Sequence, residues 1–139
     1  MINRIKIRYS RLIWITAIIL LLLNRVSALA AGYAFMADPS GKTLGMTTAY
    51  LRHSPFNNFF IPGITLFLIL GLMSVIISVI ALSRGILYHL LISLEGAALL
   101  VWIVAQIAFL GFLHPLHFVM GAVSIILILS GFFLKDFKK

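Results

Sequence analysis

The chain has 139 residues, 63% of them hydrophobic and 10% charged, with a formal net charge of +8 and no cysteine. At a mean hydropathy of +1.16 it lacks the polar shell that a soluble domain of this size needs, so it belongs in a bilayer. The absence of cysteine excludes disulfides, thiolate metal sites and thiol nucleophiles; the bases gather in short flanks of apolar runs, which reads as membrane topology and not as a nucleic-acid surface.

Crossing the hydrocarbon core takes ~20 apolar residues, and four segments qualify: 12–36, 61–83, 86–112 and 116–134. The expected fold is all-α, a single four-helix transmembrane bundle. Arg4, Lys6, Arg8 and Arg11 precede the first span. Together with Leu12–Leu23 and Ala28-Leu29-Ala30 they also fit a signal peptide with an A-x-A cleavage site. Apolar character resumes through Tyr33-Ala34-Phe35-Met36, where a mature terminus would turn polar, and this favours a retained helix. Deep inside that span lie Asn24 and Arg25.

The connection 37–60 is long for a compact bundle, and such loops have structure or a task. In "ADPSG", Asp38 opens a turn, Pro39 is pre-set for its second position and Gly41 closes it. Thr43 to His53 places Leu44, Thr47, Thr48 and Leu51 on one side, which predicts a short interfacial helix. Ser54-Pro55 reads as an N-cap and first helical residue, and Phe56, Phe59 and Phe60 as aromatic anchors.

Small and polar residues at helical spacing mark the buried faces of membrane helices. The second span carries Gly71, Ser74, Ser78, Ala81 and Gly85, and the fourth His117, Gly121, Ser124 and Gly131. The third differs in kind: Tyr88, Glu95, Trp102 and Gln106 form a polar and aromatic seam. Arg84 lies between the second and third spans, and Lys135, Lys138 and Lys139 follow the fourth. By the positive-inside rule both termini are then cytoplasmic. His89, beside Arg84 and Tyr88, reads as an interface anchor.

Arg25 is ~20 Å into the membrane counted from Leu12, and Glu95 ~14 Å counted from Ile86. Two unpaired buried charges are costly, so the sequence predicts an Arg25–Glu95 ion pair braced by Asn24, Tyr88 or Gln106. Such a pair either clamps the first and third helices in register or lines a polar cavity that engages a ligand headgroup or a proton. The candidate site is therefore Asn24, Arg25, Tyr88, Glu95, Trp102 and Gln106. His53, His114 and His117 are weak metal candidates without a third ligand of diagnostic spacing; the competing reading has His114 capping the fourth helix ahead of Pro115. Paired carboxylates, a phosphate loop and a nucleophile elbow are all missing, so no catalytic residue is assigned and no cofactor is expected.

"DPSGKTLGM", "SPFNNFFIPGITLF", the Glu95…Trp102…Gln106 helix and "HPLHFVMG" together resemble a family of small four-helix bacterial membrane proteins without an assigned activity. That resemblance, over most of residues 24–134, implies the four-helix architecture and a bacterial inner-membrane address. Similarity to the DoxX-like proteins is looser, in size and helix count, and fold does not confer function. Three function classes stay open: a protein binding a small lipophilic or amphiphilic ligand within the bundle near Arg25 and Glu95; a structural or accessory subunit of a membrane complex; and a proton-linked carrier or small membrane enzyme using Glu95. The expected partners are the bilayer, a lipophilic ligand, and a second copy or another membrane protein; nucleic acid is not among them.

Overall fold

The computed structural model describes residues 1–111 and 114–137. Four helices, Ile2–Ala37, Phe60–Leu82, Tyr88–Leu110 and Pro115–Asp136, are each long and apolar enough to cross a membrane, and no strand occurs among the described residues. Large apolar side chains cover the outside of all four, with Leu23, Val101 and Phe132 each more than three-fifths exposed. A soluble protein could not carry that surface; lipid tails cover it at no cost. The chain is a multi-pass membrane protein.

The first helix begins ten residues before the predicted span, because nothing in its basic, isoleucine-rich start breaks a helix. At ~1.5 Å per residue it is ~54 Å long against a hydrocarbon core of ~30 Å, so its basic turns extend past the bundle. Lys6 lies over the Phe137 ring at 5.7 Å, which puts both chain ends at one end of the bundle, the terminal end. Predicted flanking bases Lys138 and Lys139 lie outside the described residues, as do residues 112 and 113 of the third connection.

The helices form a ring in which the first packs on the second and fourth, and the third on the second and fourth. Glycines set the close approaches. A Cβ on Gly63 would fall 2.7 Å from Phe35 Cβ, and one on Gly32 2.8 Å from the Phe67 backbone, so the first two helices touch backbone to backbone. Gly96 likewise sits against the Ser124 carbonyl, and Gly131 against the His89 carbonyl and Ser93. The Ser93 hydroxyl donates to the Ile128 carbonyl at 2.9 Å. Of the predicted small-residue stripe on the fourth helix, Ser124 and Gly131 are buried with His117, whereas Gly121 has open space where its Cβ would be.

The second helix is not uniform. Phe60–Thr65 and Met73–Leu82 are α-helical and Leu66–Leu72 is a π-helix, in which the Met73 amide reaches back to the Leu68 carbonyl. Its start also differs from the predicted Ser54-Pro55 cap. Ser54 instead turns the loop, donating its hydroxyl to the Leu51 carbonyl and accepting from the Phe56 amide, while Asn58 accepts the Phe60 amide at 3.0 Å. Pro62 falls in the first turn, where no amide donor is missed.

Between the second and third helices the chain reverses within five residues. Gly85 donates to the Ile80 carbonyl and Arg84 to the Ala81 carbonyl, the paired bonds of a Schellman end. Arg84 and Leu87 adopt positive φ, 50° and 61°. The Arg84 guanidinium lies 4.8 Å from the Trp14 ring centre, and the Trp14 indole donates to the Ala81 carbonyl at 2.8 Å. These contacts hold the strained turn in place.

Two short 3-10 turns, Lys42–Leu44 and Thr48–Leu51, replace the single short helix predicted over Thr43–His53. The Asp38 turn itself forms as predicted: the Gly41 amide donates to the Asp38 carbonyl, and Gly41 takes a φ of 78° that suits glycine. The Phe59 amide donates to the Pro39 carbonyl, and its ring stacks on Phe35 at 4.8 Å. The loop thus folds down onto the bundle.

Candidate functional site: a polar waist beneath a cavity

The interior is two apolar cores with a polar layer between them. Leu21, Ile77, Ile92 and Leu127 belong to the core nearer the termini, and Ala28, Leu70, Leu99 and Ile103 to the core nearer the loop. Asn24 falls one helical turn from Leu21 and from Ala28; Glu95 stands midway between Ile92 and Leu99. Both are 2% exposed, and Asn24 Nδ2 donates to Glu95 Oε1 at 3.1 Å. This bond crosses the diagonal of the ring.

The predicted Arg25–Glu95 ion pair does not form. Consecutive helical residues point about 100° apart, so turning Asn24 to the centre carries Arg25 to the flank. There it is half-buried and outside the cavity lining. Depth arithmetic gave the right level and the wrong azimuth: the neutral neighbour meets the carboxyl, braced neither by Arg25 nor by Gln106. Tyr88 is buried in the core nearer the termini, its ring edge-on to His89 at 5.9 Å, away from the cavity.

Above the waist, on the loop side, is a cavity of about 330 Å³. Ala28, Leu66, Leu70, Leu99 and Ile103 wall it, and Phe35, Leu44 and Met46 roof it. Its polar lining is Asn24, Ser27, Gln106 and His117, with Trp102 beside them, and among the described residues no lysine, arginine, aspartate or glutamate reaches it. A second cavity of about 160 Å³ lies between the second and third helices under Phe56 and Phe59. The two share Phe35, Met46, Trp102 and Gln106, so the outer half of the predicted third-helix seam is the partition between two lobes. Leu66 and Leu70 both belong to the π-helical turn, which therefore faces the larger lobe.

Of the six predicted site residues, then, Asn24, Trp102 and Gln106 line the cavity and Glu95 stands directly behind Asn24. Ser27 was missed because an isolated serine on an apolar helix carries no signal of its own. His117 was assigned to packing or metal. In the structure the His114 imidazole Nδ1 accepts from the Leu116 amide at 3.2 Å, and the His117 Nδ1 accepts from the His114 amide at 3.1 Å. This reciprocal capping box occupies the lone pair of each Nδ1, so each imidazole in it carries its proton on Nε2. No group of three His, Cys, Asp or Glu placed to hold a metal occurs among the described residues, and His53 is exposed on the loop.

At the rim, Asp38 ties the loop together. Its Oδ1 accepts from the Ser40 hydroxyl at 2.6 Å and the Ser40 amide at 3.2 Å, its Oδ2 from the Thr43 hydroxyl at 2.8 Å and the Thr43 amide at 2.9 Å. The Ser40 hydroxyl first, then the Thr43 amide and hydroxyl, hold its pKa down at about 2, since all of them favour the ionised form.

No family model matches the chain, and no curated protein or solved structure proved similar to it.

Proposed function

We propose that this is a multi-pass protein of the bacterial cytoplasmic membrane that binds a small amphiphilic molecule in the larger cavity. The observation carrying the proposal is that cavity's make-up: about 330 Å³ of mostly apolar wall, with a few convergent polar groups, matches the lower end of ligand sites at ~300–1,000 Å³. Its polar contact point is Asn24, set by Glu95, and not the Arg25–Glu95 pair. The loop, with Phe56 and Phe60 as interfacial anchors, lies over the outer end. Arg4, Lys6, Arg8, Arg11, Arg84 and Lys135 gather at the terminal end, against Lys42 and Arg52 in the loop; by the positive-inside rule this supports cytoplasmic termini.

The chain contains two tryptophans, one facing the cavity and one at the terminal end, which makes the test direct. In Trp14→Phe protein in vesicles, a bromine-labelled dodecanol should quench Trp102 saturably. In Trp102→Phe protein the remaining Trp14 should be quenched only in linear proportion to probe in the bilayer. Linear quenching of both overturns the proposal.

A further inference from the structure

The larger cavity has a side opening. Toward the termini the first and fourth helices close on each other, with Ala17, Ile18 and Leu21 in one core with Leu127 and Leu134. Toward the loop they part. Ser27 lines the cavity and yet is exposed, and so is Leu116, in the first turn of the fourth helix, at 58%. Ser27 lies on the flank of the first helix away from Gly32, which faces the second helix. The gap is therefore between the first and fourth helices, at a level where their outer surface is apolar side chains. It opens sideways, into the bilayer.

From this, and resting on the ligand-binding reading above, we infer that the cavity loads laterally, between Ser27 and Leu116, from the loop-side half of the bilayer, and takes amphiphiles with an uncharged hydrogen-bonding head such as an alcohol or an amide. The head enters and the tail stays in the lipid. Two polar side chains that are more than nine-tenths buried await it. Asn24, 2% exposed, spends its Nδ2 on Glu95, which leaves its carbonyl oxygen for a ligand donor. His117, 7% exposed, spends Nδ1 on the His114 amide, which leaves Nε2–H for a ligand acceptor. Either group suits a hydroxyl or an amide, which can donate to the first or accept from the second. A carboxylate, phosphate or ammonium head would be desolvated without a counterion, since no formal charge among the described residues lines the cavity, and an unpaired buried charge is far more costly than a satisfied neutral group.

The test uses full-length Trp14→Phe protein in vesicles, with dodecanol, dodecanoate and dodecyl-trimethylammonium probes each carrying bromine. Half-saturation of Trp102 quenching by the alcohol is expected at least tenfold below that of either charged probe. Equal or tighter binding of a charged probe overturns the assignment of the head. For the route, Ser27→Phe narrows the opening and Leu116→Ala widens it. Both the loading and the release rate should fall at least fivefold in the first and rise in the second. Rates equal to the parent in both variants, or a shifted half-saturation at an unchanged loading rate, would show that these residues are not a gate. Absence of saturable quenching in the parent would instead remove the binding reading on which the inference rests.

Discussion

Asn24 and Glu95 come from helices that face each other across the bundle, 71 residues apart in sequence, and their 3.1 Å hydrogen bond is the polar link across its centre. Both side chains are withdrawn from lipid and from bulk water. Asn24→Ala therefore strands a buried carboxyl and should cost about 1–3 kcal/mol, while Glu95→Gln keeps an acceptor for the Asn24 amide and should cost less. Arg25→Gln, which removes the charge that sequence alone would pair with Glu95, should cost less than Asn24→Ala. Reversible unfolding in mixed micelles orders the three. Arg25→Gln proving the most damaging would contradict the geometry.

Asp38 predicts an acid-sensitive loop. Folding lowers its pKa from 3.8 to about 2, so the contribution of its four accepted hydrogen bonds is complete above the unfolded value and fades as pH falls through the folded one. Hydrogen-exchange protection of the Gly41 and Thr43 amides should hold between pH 7 and about pH 4 and be lost toward pH 2, after correction for the intrinsic rate. Asp38→Ala should show the loss at every pH. Protection in the variant equal to that of the parent would mean the carboxylate does not organise the loop.

Close packing of the third and fourth helices yields a contrast between two glycines of one helix. A methyl group on Gly131 would be driven into the His89 carbonyl and the Ser93 side chain, whereas one on Gly121 meets nothing within 4 Å. Gly131→Ala should destabilise by about 1–3 kcal/mol, as overpacking does. Gly121→Ala should be neutral or slightly stabilising, since alanine is the better helix former. Melting temperatures in one detergent compare them; equal effects would refute the packing.

Much of this architecture was legible in the residues. Runs of apolar side chains fixed four spans because hydrocarbon admits little else, and the Asp38 turn and the His114 cap were readable because each is a local hydrogen-bond pattern. What escaped was rotational. Depth along a helix follows from counting, but whether Asn24 or Arg25 turns inward depends on packing contributed by Gly32, Gly63 and Phe67, which lie on two different helices. A cavity near Glu95 was among the expectations, with Asn24 and Gln106 in its candidate site; two of its polar points, Ser27 and His117, escaped for a related reason, because they lie on two different helices and share no spacing with the others. The early start of the first helix is hidden in the sequence because charge marks the edge of the hydrocarbon and not the end of a helix, arginine and lysine being good helix formers.

One stretch of the second helix bears on how the chain length of this protein is allowed to vary. Through Leu66–Leu72 the backbone takes the wider, five-residue bonding step, so it spends one more amino acid there than an ordinary α-turn would. Excising one lipid-facing position in that stretch, such as Ile69, would tighten the coil to the common form and leave the flanking segments aimed as they are. The same excision farther on, at Ile76, would swing every later side chain by about 100° and pull the Ala81 carbonyl away from the Trp14 indole. A single-codon loss is thus survivable at one short interval of the second helix, and the slack stored there borders the chamber that Leu66 and Leu70 help to enclose.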